Sequence, residues 1–283
     1  MNMTDQDGKG GGQAQGTIVF DLDGVLYLGN APIAGAAEAI AILTAQGWQL
    51  LFATNNSSKT PRSVADVLYD RAGIVVDADA VVTSGMAVAS YLVDHGLRSA
   101  FVIGSPELRT TLEEVSVSII PHDQAPDAVV VGLDRSLTYA KIGHAARSIR
   151  RGAAFIATNL DPTVPTATGE DPGAGTIVAA VAKASGRAPV PCGKPHQPML
   201  DLVSAKISSL PVGNSVWMVG DRPETDIAFA KHAGWRSVLT LSGITKATSA
   251  IPEHLIPDHV VRSIVELPDI LKNDAEKRSA HEG

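Results

Sequence analysis

Short apolar runs recur along the chain, separated by stretches in which apolar residues return at helical spacing. Thr17-Ile18-Val19-Phe20, Leu50-Leu51-Phe52-Ala53 and Ser215-Val216-Trp217-Met218-Val219 have the length and β-branched or aromatic content of buried strands. Val81-Val82-Thr83, Phe101-Val102-Ile103-Gly104, Ala128-Val129-Val130-Val131 and Phe155-Ile156-Ala157-Thr158 read the same way. Between them, residues 36–46 are rich in Ala, Ile and Leu and stop at Gly47, as a helix does. Thr60-Pro61 opens another helix, with threonine as N-cap and proline at the first helical position, and Val64, Val67 and Leu68 share one of its faces. Further helices are predicted near 87–94, 107–114, 139–150 and 176–184. This alternation predicts an α/β fold on a parallel sheet covered by helices.

Composition narrows the setting. At 283 residues with 45% apolar content, the chain can build one large domain or two smaller ones with real cores. A formal charge of −7 leaves no electrostatic footprint for nucleic acid, although a local anion pocket is compatible with it. One cysteine rules out an internal disulfide and suits a reducing compartment, so a cytoplasmic location is expected. No run is long and apolar enough to span a bilayer. Residues 1–16 are Gly-, Gln- and Asp-rich and are expected to form a disordered tail rather than a signal peptide; residues 272–283 are charged and expected to fray.

Chemistry gathers where predicted strands end. The first runs into Asp21-Leu22-Asp23-Gly24, two carboxylates at the carboxyl end of a sheet strand, where open α/β folds place their sites. A calcium loop is excluded by Val25-Leu26-Tyr27-Leu28, which offers no further oxygen ligands. The second strand ends in Thr54-Asn55-Asn56, the last in Gly220-Asp221, with Asp226 five residues on; Gly193-Lys194-Pro195 lies between. Each alone has a plain reading as an Asx turn, a surface lysine or a helix cap. Cys192 reads as a structural thiol, His196 as a surface or substrate-facing group, and Trp48, Trp217 and Trp235 as packing residues.

Taken in this order, these phrases resemble the haloacid dehalogenase (HAD) superfamily of phosphohydrolases. They are closest to the branch with a large cap inserted between the second and third motifs, which holds glycerol-3-phosphate, phosphoglycolate, nucleotide, pyridoxal phosphate and p-nitrophenyl phosphatases. Val131-Gly132-Leu133-Asp134-Arg135, Ala157-Thr158-Asn159-Leu160-Asp161-Pro162 and Pro172-Gly173-Ala174-Gly175 match cap phrases, and the resemblance runs from Thr17 to about Leu271. It implies a Rossmann-like parallel-sheet core at 17–82 and 190–271 and an α/β cap at 83–189. By the same resemblance Asp21 is the nucleophile and Asp23 the general acid and base. Mg2+ is then held by Asp21, the Asp23 carbonyl and Asp221. Asp226 either supports that metal or serves as an N-terminal helix charge, while Thr54, Asn55, Asn56 and Lys194 bind the phosphoryl group. The implied partner is a small phosphomonoester, a polyol, sugar or nucleotide phosphate, with glycerol 3-phosphate or phosphoglycolate slightly favoured. Pyridoxal phosphate is disfavoured because Val164 takes the place of a histidine. A homodimer stays open. Two alternatives keep the fold: a phosphotransferase or mutase using the same aspartyl-phosphate, and a catalytically idle regulatory protein.

Overall fold

The computed structural model describes residues 15–121, 124–166, 169–210, 215–248 and 251–279. In chain order the first half comprises β1 (Gly16–Phe20), β2 (Tyr27–Leu28), β3 (Ala31–Pro32), α1 (Ala36–Ala45), β4 (Trp48–Thr54), α2 (Pro61–Ala72), β5 (Val81–Thr83), α3 (Ser84–Asp94), β6 (Ser99–Ile103), α4 (Pro106–Glu114), β7 (Ser118–Ile119) and β8 (Ala128–Val131). The second half comprises α5 (Tyr139–Arg150), β9 (Ala154–Ala157), β10 (Thr163–Thr166), β11 (Gly169–Pro172), α6 (Ala174–Ser185), β12 (Val190–Pro191), α7 (Gln197–Ser208), β13 (Val216–Gly220), α8 (Ala228–Ala233), β14 (Arg236–Thr240), β15 (His259–Val261) and α9 (Leu267–Ser279).

Two parallel sheets organise the chain. Six strands form the first in the order β15-β14-β13-β1-β4-β5, and five form the second in the order β12-β9-β8-β6-β7. β1 lies between β13 and β4, with Phe20 opposite both Val219 and Phe52. All five β1 residues are buried, as a strand covered on both faces requires. Consequently the loops after β1, β4 and β13 leave side by side at one sheet edge.

Five layers result. One face of the six-stranded sheet packs Ile18, Phe20, Phe52 and Trp217 against α1, α2 and α9. The other face presents Val19, Leu51, Val82 and Met218 to Val88 and Leu92 of α3 and Met199 and Val203 of α7. That same apolar cluster continues into Val102, Val130 and Ile156 of the five-stranded sheet. Helices α3 and α7 therefore lie between the two sheets. Beyond the second sheet, α5 and α6 cover Val129, Val131 and Phe155. The run Ala87-Val88-Ala89 with Leu92 makes α3 apolar on more than one side, which is what a helix inserted between two sheets needs.

Local signals explain the ends. Thr60 Oγ1 accepts from Ser63 N at 3.2 Å with Pro61 at the first turn, and Gly73 ends α2 in the left-handed region. Thr83 closes β5 and caps α3, its Oγ1 accepting from Met86 N.

Three details depart from the sequence reading. Val190–Pro191 pairs with β9, so the inserted sheet extends past 189. Helix α3 follows residue 83 but packs on the six-stranded sheet as well as on the insertion. Where fraying is expected from 272, α9 stays helical to Ser279, anchored by buried Leu267 and Leu271 and by Asp274 on Arg236. Residues 1–14 and 280–283, where tails are expected, lie outside the described residues.

Candidate active site

The three loops after β1, β4 and β13 and the Lys194 turn converge on one cavity of about 500 Å3. Asp21, Asp23, Thr54, Lys194, Asp221 and Asp226 all line it. Sequence distance is cancelled by the parallel register, because β1 neighbours both β4 and β13.

Lys194 is at the centre. Its side chain is 1% exposed, and Nζ donates to Asp21 Oδ1 and Asp226 Oδ1, each at 2.7 Å. Burial alone would depress its pKa, but the two carboxylates reverse that and hold it above the usual lysine range. Asp226 uses its second oxygen, Oδ2, to accept from Asp221 N and Arg222 N at 3.1 Å, tying the loop after β13 to the lysine. Asp221 Oδ2 accepts from Ile244 N at 2.6 Å. Room for that carboxylate is made by Gly24 and Gly243, where an added Cβ would lie 2.3 and 1.8 Å from Asp221 Oδ2. Gly24 also has φ +82°, a conformation that disfavours any side chain.

Oxygens of Asp21, Asp221 and Asp226 lie within 4.8 Å of one another. Burial raises the pKa of Asp21 well above the usual carboxylate range, against the pull of Lys194. Burial and the charge of Asp226 push Asp221 up to about 6. Three carboxylates face one ammonium, so the cluster carries two uncompensated negative charges when all are ionised. Hard oxygen donors and that charge deficit fit a divalent cation such as Mg2+.

Asp23 stands apart from the cluster. Its carboxyl is pushed up to about 6 by burial, partly offset by Arg71 and Tyr27, so it carries a proton at mildly acidic pH. Tyr27 Oη reaches Asp23 Oδ2 at 3.5 Å, and the Arg71 guanidinium lies 5.0 Å from the Tyr27 ring centre.

The turn after β4 divides its groups. Buried Thr54 accepts from Asn56 N through Oγ1 at 3.1 Å, leaving its O–H to donate. Asn56 Oδ1 accepts from Ser58 N and Oγ. Asn55 does not turn its amide to the cavity as a donor. Its Oδ1 accepts from Lys194 N at 2.7 Å and its Nδ2 donates to Lys194 O and Asp161 Oδ2, each at 3.1 Å. The side-chain amide expected to meet substrate is thus engaged within the protein.

Several cavity groups escaped the sequence reading. The segments after β8 and β9 contribute Leu133, Arg135, Asn159 and Asp161, β10 contributes Thr163, and the six-stranded side adds Arg71 and Arg222. Asp161 follows β9 much as Asp21 follows β1, a strand-end carboxylate that was legible as such. Arg71 gave no signal, since it reads as a basic residue in the last turn of α2. Cys192 is fully buried with its thiol pushed up to about 12 by burial, in line with a packing role. No helix among the described residues is long and apolar enough to cross a membrane.

A family model for haloacid dehalogenase-like hydrolases matches residues 18–118, and a second HAD-hydrolase-like model matches 191–267. The 5'-nucleotidase YutF of Bacillus subtilis is 35% identical over 249 residues, covering 88% of this chain and 95% of that protein. An acid sugar phosphatase of Staphylococcus haemolyticus is 36% identical over 80% of this chain and 85% of its own length. Among solved structures, the glycerol phosphate phosphatase Rv1692 of Mycobacterium tuberculosis in complex with magnesium superposes with a TM-score of 0.81. It is 31% identical, and the match covers 90% of this chain and 77% of that one.

Proposed function

The chain belongs to the haloacid dehalogenase-like hydrolases, and we propose that within them it is a Mg2+-dependent phosphatase of small phosphate monoesters acting through an aspartyl-phosphate. The observation that carries this reading is the buried Lys194 bridge to Asp21 and Asp226, 2.7 Å to each, beside a third carboxylate on an open cavity. A carboxylate oxygen of Asp21 bonds to phosphorus as the bond from phosphorus to the leaving oxygen breaks. Asp23 gives its proton to that oxygen. In the second half Asp23 takes a proton from water, the water oxygen adds to phosphorus, and Asp21 is released with inorganic phosphate. Lys194 and the Thr54 hydroxyl stabilise the phosphoryl oxygens throughout. Asp21, the Asp23 carbonyl and Asp221 would hold Mg2+, with Asp226 fixing the Asp221 loop. When bound, the cation neutralises phosphoryl charge and helps align the reacting groups.

The cavity wall bears on the substrate. Among the described residues, Tyr27 is the only aromatic one lining it, and Arg71 already covers that ring. A purine or pyridine ring therefore finds no open stacking partner among the described residues, while Arg71, Arg135 and Arg222 suit hydroxyl-rich or anionic leaving groups. This supports polyol and sugar phosphates over nucleotides, with glycerol 3-phosphate and phosphoglycolate as lead candidates. The single buried cysteine suits a cytoplasmic setting.

A panel of phosphomonoesters with Mg2+, ranked by kcat/KM, tests both levels. Polyol and sugar phosphates should outrank 5'-nucleotides, and EDTA should remove turnover. Nucleotides at the top would overturn the substrate reading. No turnover of any ester by the Mg2+-loaded protein would overturn the phosphatase reading itself.

A further inference from the structure

Asn55 joins three segments that are far apart in sequence. Its side-chain amide forms two hydrogen bonds with the backbone of Lys194, accepting from N at 2.7 Å and donating to O at 3.1 Å, across 139 residues. The same Nδ2 donates to Asp161 Oδ2 at 3.1 Å, across 106 residues. Its backbone carbonyl accepts from Asn159 Nδ2 at 2.7 Å and from Ser84 Oγ at 2.6 Å, at the start of the insertion. Asp161 N in turn donates to Asn159 Oδ1 at 3.0 Å, closing the turn after β9. The partners settle the amide's orientation, since one end meets a donor and the other two acceptors. All of these bonds run within the protein, and all are part-buried.

Position matters because of what Lys194 does. Its ammonium reaches two carboxylates at 2.7 Å, and its backbone N and O are both held by the Asn55 amide. A displacement of the turn after β9 pulls on Asn55, and through it on the segment that places Nζ. We propose that Asn55 is a positioning residue that couples the seating of the inserted sheet's Asn159–Asp161 turn to the placement of Lys194. This rests on the phosphatase reading of Lys194 and Asp21. In this arrangement the insertion contributes to the rate of chemistry as well as to the recognition of leaving groups, with Asp161 acting through Asn55 instead of touching the substrate.

A double-mutant cycle on the full chain with Mg2+ tests the coupling, using p-nitrophenyl phosphate and an alkyl phosphate. Asn55→Ala should lower kcat about tenfold or more for both esters, with KM changed less than about threefold. Asp161→Ala should lower kcat several-fold for both esters alike, and should add little in the Asn55→Ala background. Asp161→Asn, which keeps an oxygen for Asn55 Nδ2, should recover most of the lost kcat. Losses that multiply in the double variant would overturn the coupling. So would an Asp161→Ala effect confined to one leaving group, which would make Asp161 a substrate contact. If Asn55→Ala fails to fold, the Asp161 pair alone decides: unchanged kcat for p-nitrophenyl phosphate in Asp161→Ala would overturn the proposal. An inactive wild-type enzyme would instead refute the phosphatase reading beneath it.

Discussion

The two walls of the cavity are built from different materials. On the six-stranded side, buried Lys194, Asp221 and Asp226 and the partly exposed Asp21 form a close-packed set of charges whose oxygens and nitrogen are fixed at 2.6–3.1 Å by one another and by backbone amides. On the inserted side, Asn159 is buried and Asp161 half-buried, and Arg135 is 70% exposed with Asp171 at 3.3 Å as partner. Buried charges cannot be rearranged cheaply, because each leaves the others uncompensated. Exposed arginines can be exchanged with little cost. On the function proposed above, the contrast assigns the constant chemistry to one wall and the adjustable recognition to the other, with Asn55 as the proposed link between them.

The comparison breaks most visibly at its strongest point. Lys194→Met should reduce kcat by about 10²- to 10³-fold for every phosphomonoester, by the measure of losing one preorganised charge donor. In metal-free protein it should also destabilise by about 3–5 kcal/mol, the usual cost of removing one partner from a buried ion pair. Thermal or urea denaturation in EDTA measures the second effect. A loss confined to one leaving group would blur the division between the walls.

Next in size is a substitution in the layer between the sheets. Leu92 of α3 is fully buried in the cluster that reaches from Val19 and Leu51 to Val102 and Val130. Leu92→Ala should cost about 2–5 kcal/mol, as in other core truncations. Because both sheets share this cluster, urea unfolding should stay a single transition by fluorescence and by circular dichroism. Two separated transitions, only one of them moved, would show that the sheets are independent bodies.

Smallest is the exposed rim. Arg135→Ala should raise KM several-fold for phosphoglycolate while leaving p-nitrophenyl phosphate and the melting temperature within error, since surface ion pairs are worth about 0–1 kcal/mol. Equal effects on both esters would place Arg135 in the common machinery.

The sequence made the carboxylate wall legible because most of its residues sit at strand ends. Asp21, Thr54 and Asp221 each follow an apolar run, and parallel pairing of β1 with β4 and β13 brings such ends together. Their capping chemistry was equally local, as at Thr60-Pro61. What escaped depends on distant partners. Two-residue β12 exists only because it pairs with β9, and β14 and β15, at one side of the sheet, carry too little apolar pattern to stand out. Asn55 was readable as a turn residue, but its partners Lys194 and Asp161 lie more than a hundred residues away. The tail beyond 272 reads as polar, yet α9 is held there by Arg236 contacts that no local pattern contains.

The central claim is that Asp21 takes the phosphoryl group onto its own carboxylate. Rapid quenching of the Mg2+-loaded enzyme with radiolabelled substrate, followed by peptide mapping, tests it most directly. The expected result is label on the peptide containing Asp21, formed and lost at rates that account for turnover, labile to hydroxylamine as an acyl phosphate is, and absent from folded Asp21→Asn. Turnover at the wild-type rate with no labelled protein, or with label on any peptide lacking Asp21, would contradict it.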